Sequence, residues 1–325
     1  MKILILAEHD NQSPVLSLRS LISAARQIGE QIDVLVAGYR CEGIAIQISQ
    51  LAGVSRVCLA DAPYYAVPGA ENMALLLAML AKGYTHVLTS SSVSARAILP
   101  RAAALLDIAP VSNVVRIVDA RTFVRPVHTG NLLATVRNDE AIVMLGIQTG
   151  EMRNESTDEQ PQAPIINVEA PPDCLLSFVE ARILHDTEHP RLSTARVVVS
   201  GGRGFETADD FQRLLEPLAK ELGAAIGATR EIVDAGVPNE YQIGQSAHTV
   251  APELYFAIGL SGASQHVCGM KGSKVVVVIN RDERAPICQY ADYVLIGNLY
   301  RQVPRLTQAL HELSLRNRSV VTSDL

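Results

Sequence analysis

Apolar residues recur along this chain in two rhythms. Short runs that are apolar at nearly every position alternate with longer stretches in which apolar residues return every three or four positions. The first rhythm fits strands buried on both faces of a parallel sheet, and the second fits helices lying on such a sheet. In the first half, runs at 2–7, 32–37, 57–60 and 86–89 predict strands, and stretches at 16–28, 43–52, 73–82 and 94–106 predict helices. From 113 the rhythm changes. Residues 113–118, 123–128, 132–136 and 141–147 read as successive strands without helices, expected to extend the first sheet in antiparallel fashion.

Residues 149–164 (TGEMRNESTDEQPQAP) are polar, charged and bounded by proline, the composition of a surface loop. Apolar character returns over 165–184. A second break at 185–193 (HDTEHPRLS) marks the domain boundary, giving an N-terminal α/β domain over 1–188, which includes the polar loop, and a C-terminal domain over 189–325. Alternation then resumes, with strands expected at 195–200, 241–243, 254–258, 275–279 and 293–296. Thr207, with Asp210 three residues on, marks a helix start, and Phe211, Leu214, Leu215, Leu218 and Leu222 follow at helical spacing. A last helix is expected over 303–313. The fold class is α/β, with two domains each built on a mainly parallel sheet and the second doubly wound.

Composition supports this picture and narrows the function. The 325 residues exceed the roughly 250 at which single cores tend to divide. Trp is absent and aromatics reach only 4%, so aliphatic packing must fill both cores. A net charge of -6 without a basic tract argues against nucleic acid and anionic membranes as partners. Cys41, Cys58, Cys174, Cys268 and Cys288 form no CxxC pair, so they read as reduced thiols rather than as a disulfide framework or zinc site. His185 and His189 lie four apart with no third ligand nearby, and no metal site is expected. The opening run is too short for a secretory signal, meets Glu8, His9 and Asp10 at once, and no stretch is long enough to span a bilayer. A cytoplasmic protein is expected.

Open parallel sheets bind ligands beyond the carboxyl ends of their strands. In the second half each expected strand is followed by small or hydrogen-bonding residues: Gly201-Gly202-Arg203-Gly204, Gly244-Gln245-Ser246, Gly259 to His266, Asn280, and Gly297-Asn298. Glycines let the backbone come close to a ligand, and a following helix N-terminus offers free N–H groups to phosphate. The pattern points to a dinucleotide. It is not a full nicotinamide fingerprint, because Gly202-x-Gly204-x-x-Thr207 lacks the third glycine. Residues 269–274 fail the Walker pattern, and Ser261 is not a nucleophile elbow. His9, Asp10 and Ser90 to Ser94 follow strands of the first half and read as loop and capping residues.

The second half then resembles a known family. Ser200-Gly201-Gly202-Arg203-Gly204, Gly227-Ala228-Thr229-Arg230, Val233-Asp234-Ala235-Gly236, Gln242-Ile243-Gly244-Gln245-Ser246, Ala251-Pro252-Glu253-Leu254-Tyr255, Ser261-Gly262-Ala263-Ser264-Gln265-His266, Gly269-Met270-Lys271, Ile279-Asn280 and Ala291-Asp292-Tyr293 closely resemble the α-subunits of electron transfer flavoproteins. The resemblance implies a redox carrier rather than a conventional enzyme, with no catalytic acid, base or nucleophile. It implies one FAD in the C-terminal domain and a heterodimer with a β-subunit that holds AMP, or a second FAD in bifurcating members that oxidise NADH. Electrons would come from acyl-CoA dehydrogenases of fatty acid β-oxidation and related flavoenzymes, and pass to a quinone oxidoreductase. The N-terminal domain would carry no cofactor and pack on the partner.

The resemblance also assigns residues. Arg203, Thr229 and Arg230 would surround the cofactor, with Arg230 against the isoalloxazine. Ile243, Gly244, Gln245 and Ser246 would reach the flavin, with the Ser246 hydroxyl donating to N5. Ser261, Gly262, Ala263, Ser264, Gln265 and His266 would form a loop whose histidine lies near the N1/C2 carbonyl side. Asn280, Asn298 and Leu299 would serve the adenosine. One-electron reduction puts negative charge on the N1–C2 region, which a positive His266 or Arg230 would stabilise. Two departures stand out: Asn298 sits where the family often has Asp, and Ala247-His248-Thr249 replaces a Gly-Lys-hydrophobic run. A NAD-dependent oxidoreductase and a nucleotide-sensing module are the competing classes.

Overall fold

The structure is a computed structural model that describes residues 1–10, 13–15, 17–67, 69–149, 162–169, 171 and 189–321, with side chains to 313. The chain divides into two compact units, Met1–Ile183 and Leu184–Leu325. Most of the polar segment 149–164, as well as His185 and Cys174, lies outside the described residues.

In chain order the first unit contains β1 (Lys2–Leu6), α1 (Ser17–Arg26), β2 (Gln31–Gly38), α2 (Glu42–Ser49), β3 (Arg56–Asp61), α3 (Ala70–Ala81), β4 (His86–Ser90) and α4 (Val93–Leu105). There follow β5 (Val111–Val114), β6 (Arg116–Ile117), β7 (Thr122–Val127), β8 (Leu132–Arg137), β9 (Val143–Ile147) and β10 (Ile165–Asn167). Seven strands form one sheet in the order β10-β3-β2-β1-β4-β9-β5, with every neighbouring pair parallel. Alternate residues of β1 feed opposite cores. Ile3 and Ile5 pack with Leu21 and Ile44 of α1 and α2, whereas Leu4 and Leu6 pack with Leu77 and Leu99 of α3 and α4.

The expected antiparallel extension of this sheet is not what forms. β9 runs parallel between β4 and β5, and the antiparallel strands β6, β7 and β8 make a separate three-stranded sheet. The side chains give the reason. Every residue of β9 is buried, as a strand covered on both faces requires, whereas β8 alternates between exposed and half-buried positions.

The second unit runs β11 (Val197–Gly201), α5 (Ala208–Leu222), β12 (Ala225–Ala228), α6 (Arg230–Asp234), β13 (Leu254–Ile258), α7 (Ser264–Met270), β14 (Val275–Asn280), β15 (Tyr293–Ile296) and α8 (Leu299–Val321). Its sheet is parallel throughout, in the order β12-β11-β13-β14-β15. Counted by appearance this is 2-1-3-4-5, a doubly wound order whose direction of winding reverses between β11 and β13. Helix α5 begins as expected: the Thr207 hydroxyl accepts from the Asp210 amide at 3.0 Å, and Gly223 closes the helix in the left-handed region at φ 58°.

Residues 241–243, expected as a strand, are not one. Asn239–Tyr241 is a tight 3-10 turn, and Gln242 and Ile243 make single bridges to Ala228 and His248. The edge strand is instead β12. A side chain at Gly227 would place its Cβ 2.4 Å from Ile243 Cδ1, so the glycine allows Ile243 to lie directly on the sheet. Between β14 and β15 only the 3-10 turn Pro286–Tyr290 intervenes, and no helix shields β15 there. Tyr293, Val294, Leu295 and Ile296 are 65%, 43%, 42% and 47% exposed.

Candidate functional site

The winding reversal of the second unit places the ends of β11 and β13 side by side. Backbone meets backbone there. The Gly204 amide donates to the Gly259 carbonyl at 2.9 Å, and a Cβ on Gly204 would lie 2.7 Å from Gly259 Cα. Gly259 itself has φ 63°, a conformation few other residues adopt. A Cβ on Gly202 would come within 2.6 Å of Leu260 and 3.0 Å of the Thr229 methyl group. The strand crest at the reversal is therefore built of bare backbone, which suits close approach by a flat or phosphorylated ligand.

Polar groups ring this crest with unused capacity. Thr229 is buried and its amide donates to the Gly201 carbonyl at 3.0 Å, yet its hydroxyl has no partner. Buried hydroxyls are rarely left so, and a ligand atom would satisfy it. The exposed Arg203 guanidinium has no partner among the described residues. Arg230 makes only a long contact to Asp234 at 3.5 Å, with both side chains mostly in solvent. Such a pair holds its arginine weakly, so Arg230 can turn to a ligand at little cost.

The segment from Ile243 to Ser246 is held from three sides. The Ile243 amide donates to Ala228 O at 2.9 Å, the Gly244 amide to His248 O at 3.0 Å, and the Gln245 amide to Gln265 O at 2.8 Å. Gly244, at φ 151°, packs backbone to backbone against α7; a Cβ on Gly269 would lie 2.6 Å from Gly244 Cα. Gln245 and Ser246 are left exposed beyond this anchor, Ser246 accepting only a long 3.5 Å bond from Gln242. Ser261 and Gln265 are exposed too, while Gly262 at φ 86° turns the chain against Ile287. Ala263 and Ser264 begin α7.

His266 differs from the positive group that the sequence suggests. It is 5% exposed, and burial pushes its pKa down to about 4, so it is neutral at physiological pH. Its Nδ1 lies 3.0 Å from the Ile243 carbonyl and its Nε2 2.8 Å from the Tyr255 hydroxyl. Strand-end reasoning does not mark Tyr255, which lies inside β13. The signal was its hydroxyl, a polar handle within an aliphatic run, which needs a partner when buried. Three other assigned residues serve the fold. Asn280 donates to Leu260 O at 2.7 Å and accepts from the Asp282 amide, Asn298 Oδ1 accepts from the Tyr300 amide at 2.8 Å, and Leu299 packs against Gly204 and Gly259.

The first unit has a winding reversal of its own, between β1 and β4, and it is filled differently. The Glu8 carboxylate accepts from the hydroxyls of Ser90 at 2.5 Å, Ser92 at 2.5 Å and Ser94 at 2.8 Å. Ser92 also caps α4 by accepting from the Ala95 amide. His9 bonds the Ala37 carbonyl at 3.0 Å. These residues are loop and capping groups, as expected. Among the described residues no cluster of three or more His, Cys, Asp or Glu side chains is placed to hold a metal. Cys41, Cys58, Cys268 and Cys288 are free thiols, and His189 pairs with Glu216 at 2.6 Å.

Comparison with known proteins identifies this architecture. Residues 3–173 match the electron transfer flavoprotein domain, and residues 191–271 match the electron transfer flavoprotein FAD-binding domain. The α-subunit of the electron transfer flavoprotein from Pseudomonas aeruginosa is 43% identical over 95% of this chain and 100% of its own length. The chain belongs to the electron transfer flavoprotein α-subunit family. The corresponding subunit of Bradyrhizobium diazoefficiens is 41% identical over 96% of this chain and 99% of its own, and the mitochondrial subunit of Dictyostelium discoideum is 39% identical over 94% and 91%. The flavin-binding match, which spans the glycine crest, Thr229, the Ile243–Ser246 segment and His266, gives this second unit a flavin cofactor. The unpartnered Thr229 hydroxyl and the backbone cradle fit such a group.

Proposed function

We propose that this α-subunit carries a single FAD in its second domain. It would take electrons from acyl-CoA dehydrogenases and related flavoenzymes and deliver them to a quinone oxidoreductase, acting with a β-subunit that holds AMP. The observation that carries the reading is the glycine crest at the winding reversal, with the Thr229 hydroxyl buried and unpartnered beside it. FAD supplies the chemistry by accepting and releasing electrons singly or in pairs.

The residues of the chain bind, orient and bias that group. Gly202, Gly204 and Gly259 admit it against the backbone, and Arg203 is free to meet a phosphate. The anchored Ile243–Ser246 segment offers the exposed Ser246 hydroxyl for donation to N5. Because burial keeps His266 neutral, the weakly held Arg230 is the charge that favours electron density on the ring. Ser261 and Gln265 are exposed for polar contacts, and Asn280, Asn298 and Leu299 shape the floor beneath the adenosine. Electron transfer needs no general base or nucleophile, so the protein is a carrier rather than a conventional enzyme.

The site is half of a functional unit. The uncovered apolar strand β15 calls for a partner surface, which we assign to the β-subunit. In the first domain the Glu8 carboxylate already engages the hydroxyls of Ser90, Ser92 and Ser94 at the winding reversal, which supports a scaffold role without cofactor. No helix among the described residues is long and apolar enough to cross a membrane, and we place the protein in the cytoplasm.

The test is to coexpress the two subunits, record the absorption spectrum, and add a substrate-reduced acyl-CoA dehydrogenase. A yellow heterodimer with one flavin that bleaches on mixing is expected. A colourless complex unable to take up FAD overturns the proposal, and two flavins per heterodimer would move it to the bifurcating class.

A further inference from the structure

Besides its backbone bonds, the Ile243–Ser246 segment is tied to a hydrogen-bond chain that ends away from the crest. The Ile243 carbonyl can only accept, so the His266 nitrogen facing it, Nδ1, carries the proton. His266 is neutral, so Nε2 is then a bare lone pair buried in the core. The only group within reach of it among the described hydrogen bonds is the Tyr255 hydroxyl at 2.8 Å, which must therefore donate. Each proton in the chain is fixed by the group before it.

Tyr255 is suited to this one task. It is fully buried, in the second position of β13, on the face that α7 covers. Burial pushes its own pKa well above the ordinary tyrosine value, so the hydroxyl keeps its proton throughout the physiological range. His266 sits on α7 and Ile243 lies on the sheet above Gly227. The chain thus joins a core strand, a helix and the segment beside the crest.

We propose that Tyr255 is a positioning residue for the flavin-facing segment: its hydroxyl holds His266 as the Nδ1–H tautomer, and His266 in turn holds the Ile243 carbonyl. The proposal rests on the reading that residues 243–246 face the flavin. Without the hydroxyl, the buried Nε2 lone pair lacks a donor. The ring then relaxes by turning, by taking the opposite tautomer or by admitting water, and each route loosens the grip on Ile243.

The experiment uses the full chain in complex with its β-subunit, labelled with 15N at histidine. At neutral pH His266 should be protonated at Nδ1 and bare at Nε2; a proton on Nε2 overturns the proposal whatever the variants do. In Tyr255→Phe, amide exchange at Gly244 and Gln245 should accelerate by roughly 5- to 150-fold, the range for an orphaned buried acceptor. FAD affinity should fall in step. Exchange in Tyr255→Phe within twofold of wild type overturns it. A complex showing the expected tautomer and exchange that binds no flavin instead overturns the functional reading, so the two failures are told apart.

Discussion

Burial reverses the sense of His266. Read in the sequence it is a cation beside a flavin; in the folded chain it is a neutral group whose pKa has fallen to about 4 from the ordinary 6.5. The unfolded chain takes up a proton as pH falls through 6.5, and the native chain does not until about 4. Native stability contributed by this group is therefore full above pH 6.5 and declines down to about pH 4, by about 3 kcal/mol if the whole shift is realised. His86 and His248 are pushed in the same direction by burial, so the test is a difference. His266→Asn should show a shallower loss of urea-unfolding free energy between pH 6.5 and 4 than wild type, and equal slopes would mean that His266 is not held neutral. Glycine and serine positions were legible because strand ends are where small and polar residues collect. The state of His266 was not. It comes from burial, its partner Tyr255 lies eleven residues away on another element, and no sequence spacing shows which two side chains a sheet and a helix will bring together.

Among the elements, the strand ends at the winding reversal tolerate least. Gly204→Val puts a branched side chain 2.7 Å from the backbone of Gly259, and backbone cannot step aside as a side chain can. Overpacking of this kind costs about 1–3 kcal/mol. The variant should unfold at lower urea and lose its flavin on desalting; one as stable and as yellow as wild type would remove Gly204 from the cradle. Strongly periodic elements could be read directly. Helix α5 with its Thr207 cap, and the valine-rich strands β11 and β14, formed where the pattern put them. β12 could not be read, because Ala-Ile-Gly-Ala carries almost no strand propensity and exists as a strand through its neighbours. The pattern marks β9 as a strand, but its neighbours are β4 and β5 rather than the strands adjacent in sequence. Its unbroken burial was the available sign of a parallel, two-sided environment.

For the molecule as a whole, the exposed edge of the second sheet argues that the chain is made to be completed. Four consecutive apolar residues in solvent on an edge strand are an aggregation hazard unless a partner covers them. Leu295→Lys should leave the unfolding free energy of the isolated α-subunit within about 0.5 kcal/mol of wild type, as surface changes do. Its affinity for the β-subunit, measured by calorimetry, should fall about tenfold or more, the cost of a charge placed in an apolar interface. Unchanged affinity would take β15 out of the contact.

The two sheets treat their winding reversals in opposite ways, and the contrast has a consequence for what each can accept. One reversal is lined by glycine packed backbone to backbone; the other is stoppered by Glu8, whose carboxylate already engages Ser90, Ser92 and Ser94 at the start of α4. A phosphate arriving there meets hydroxyls turned toward another acceptor and a like charge standing in its place. On the proposed function, the occupant that the chain brings to the first sheet leaves the second to hold the nucleotide.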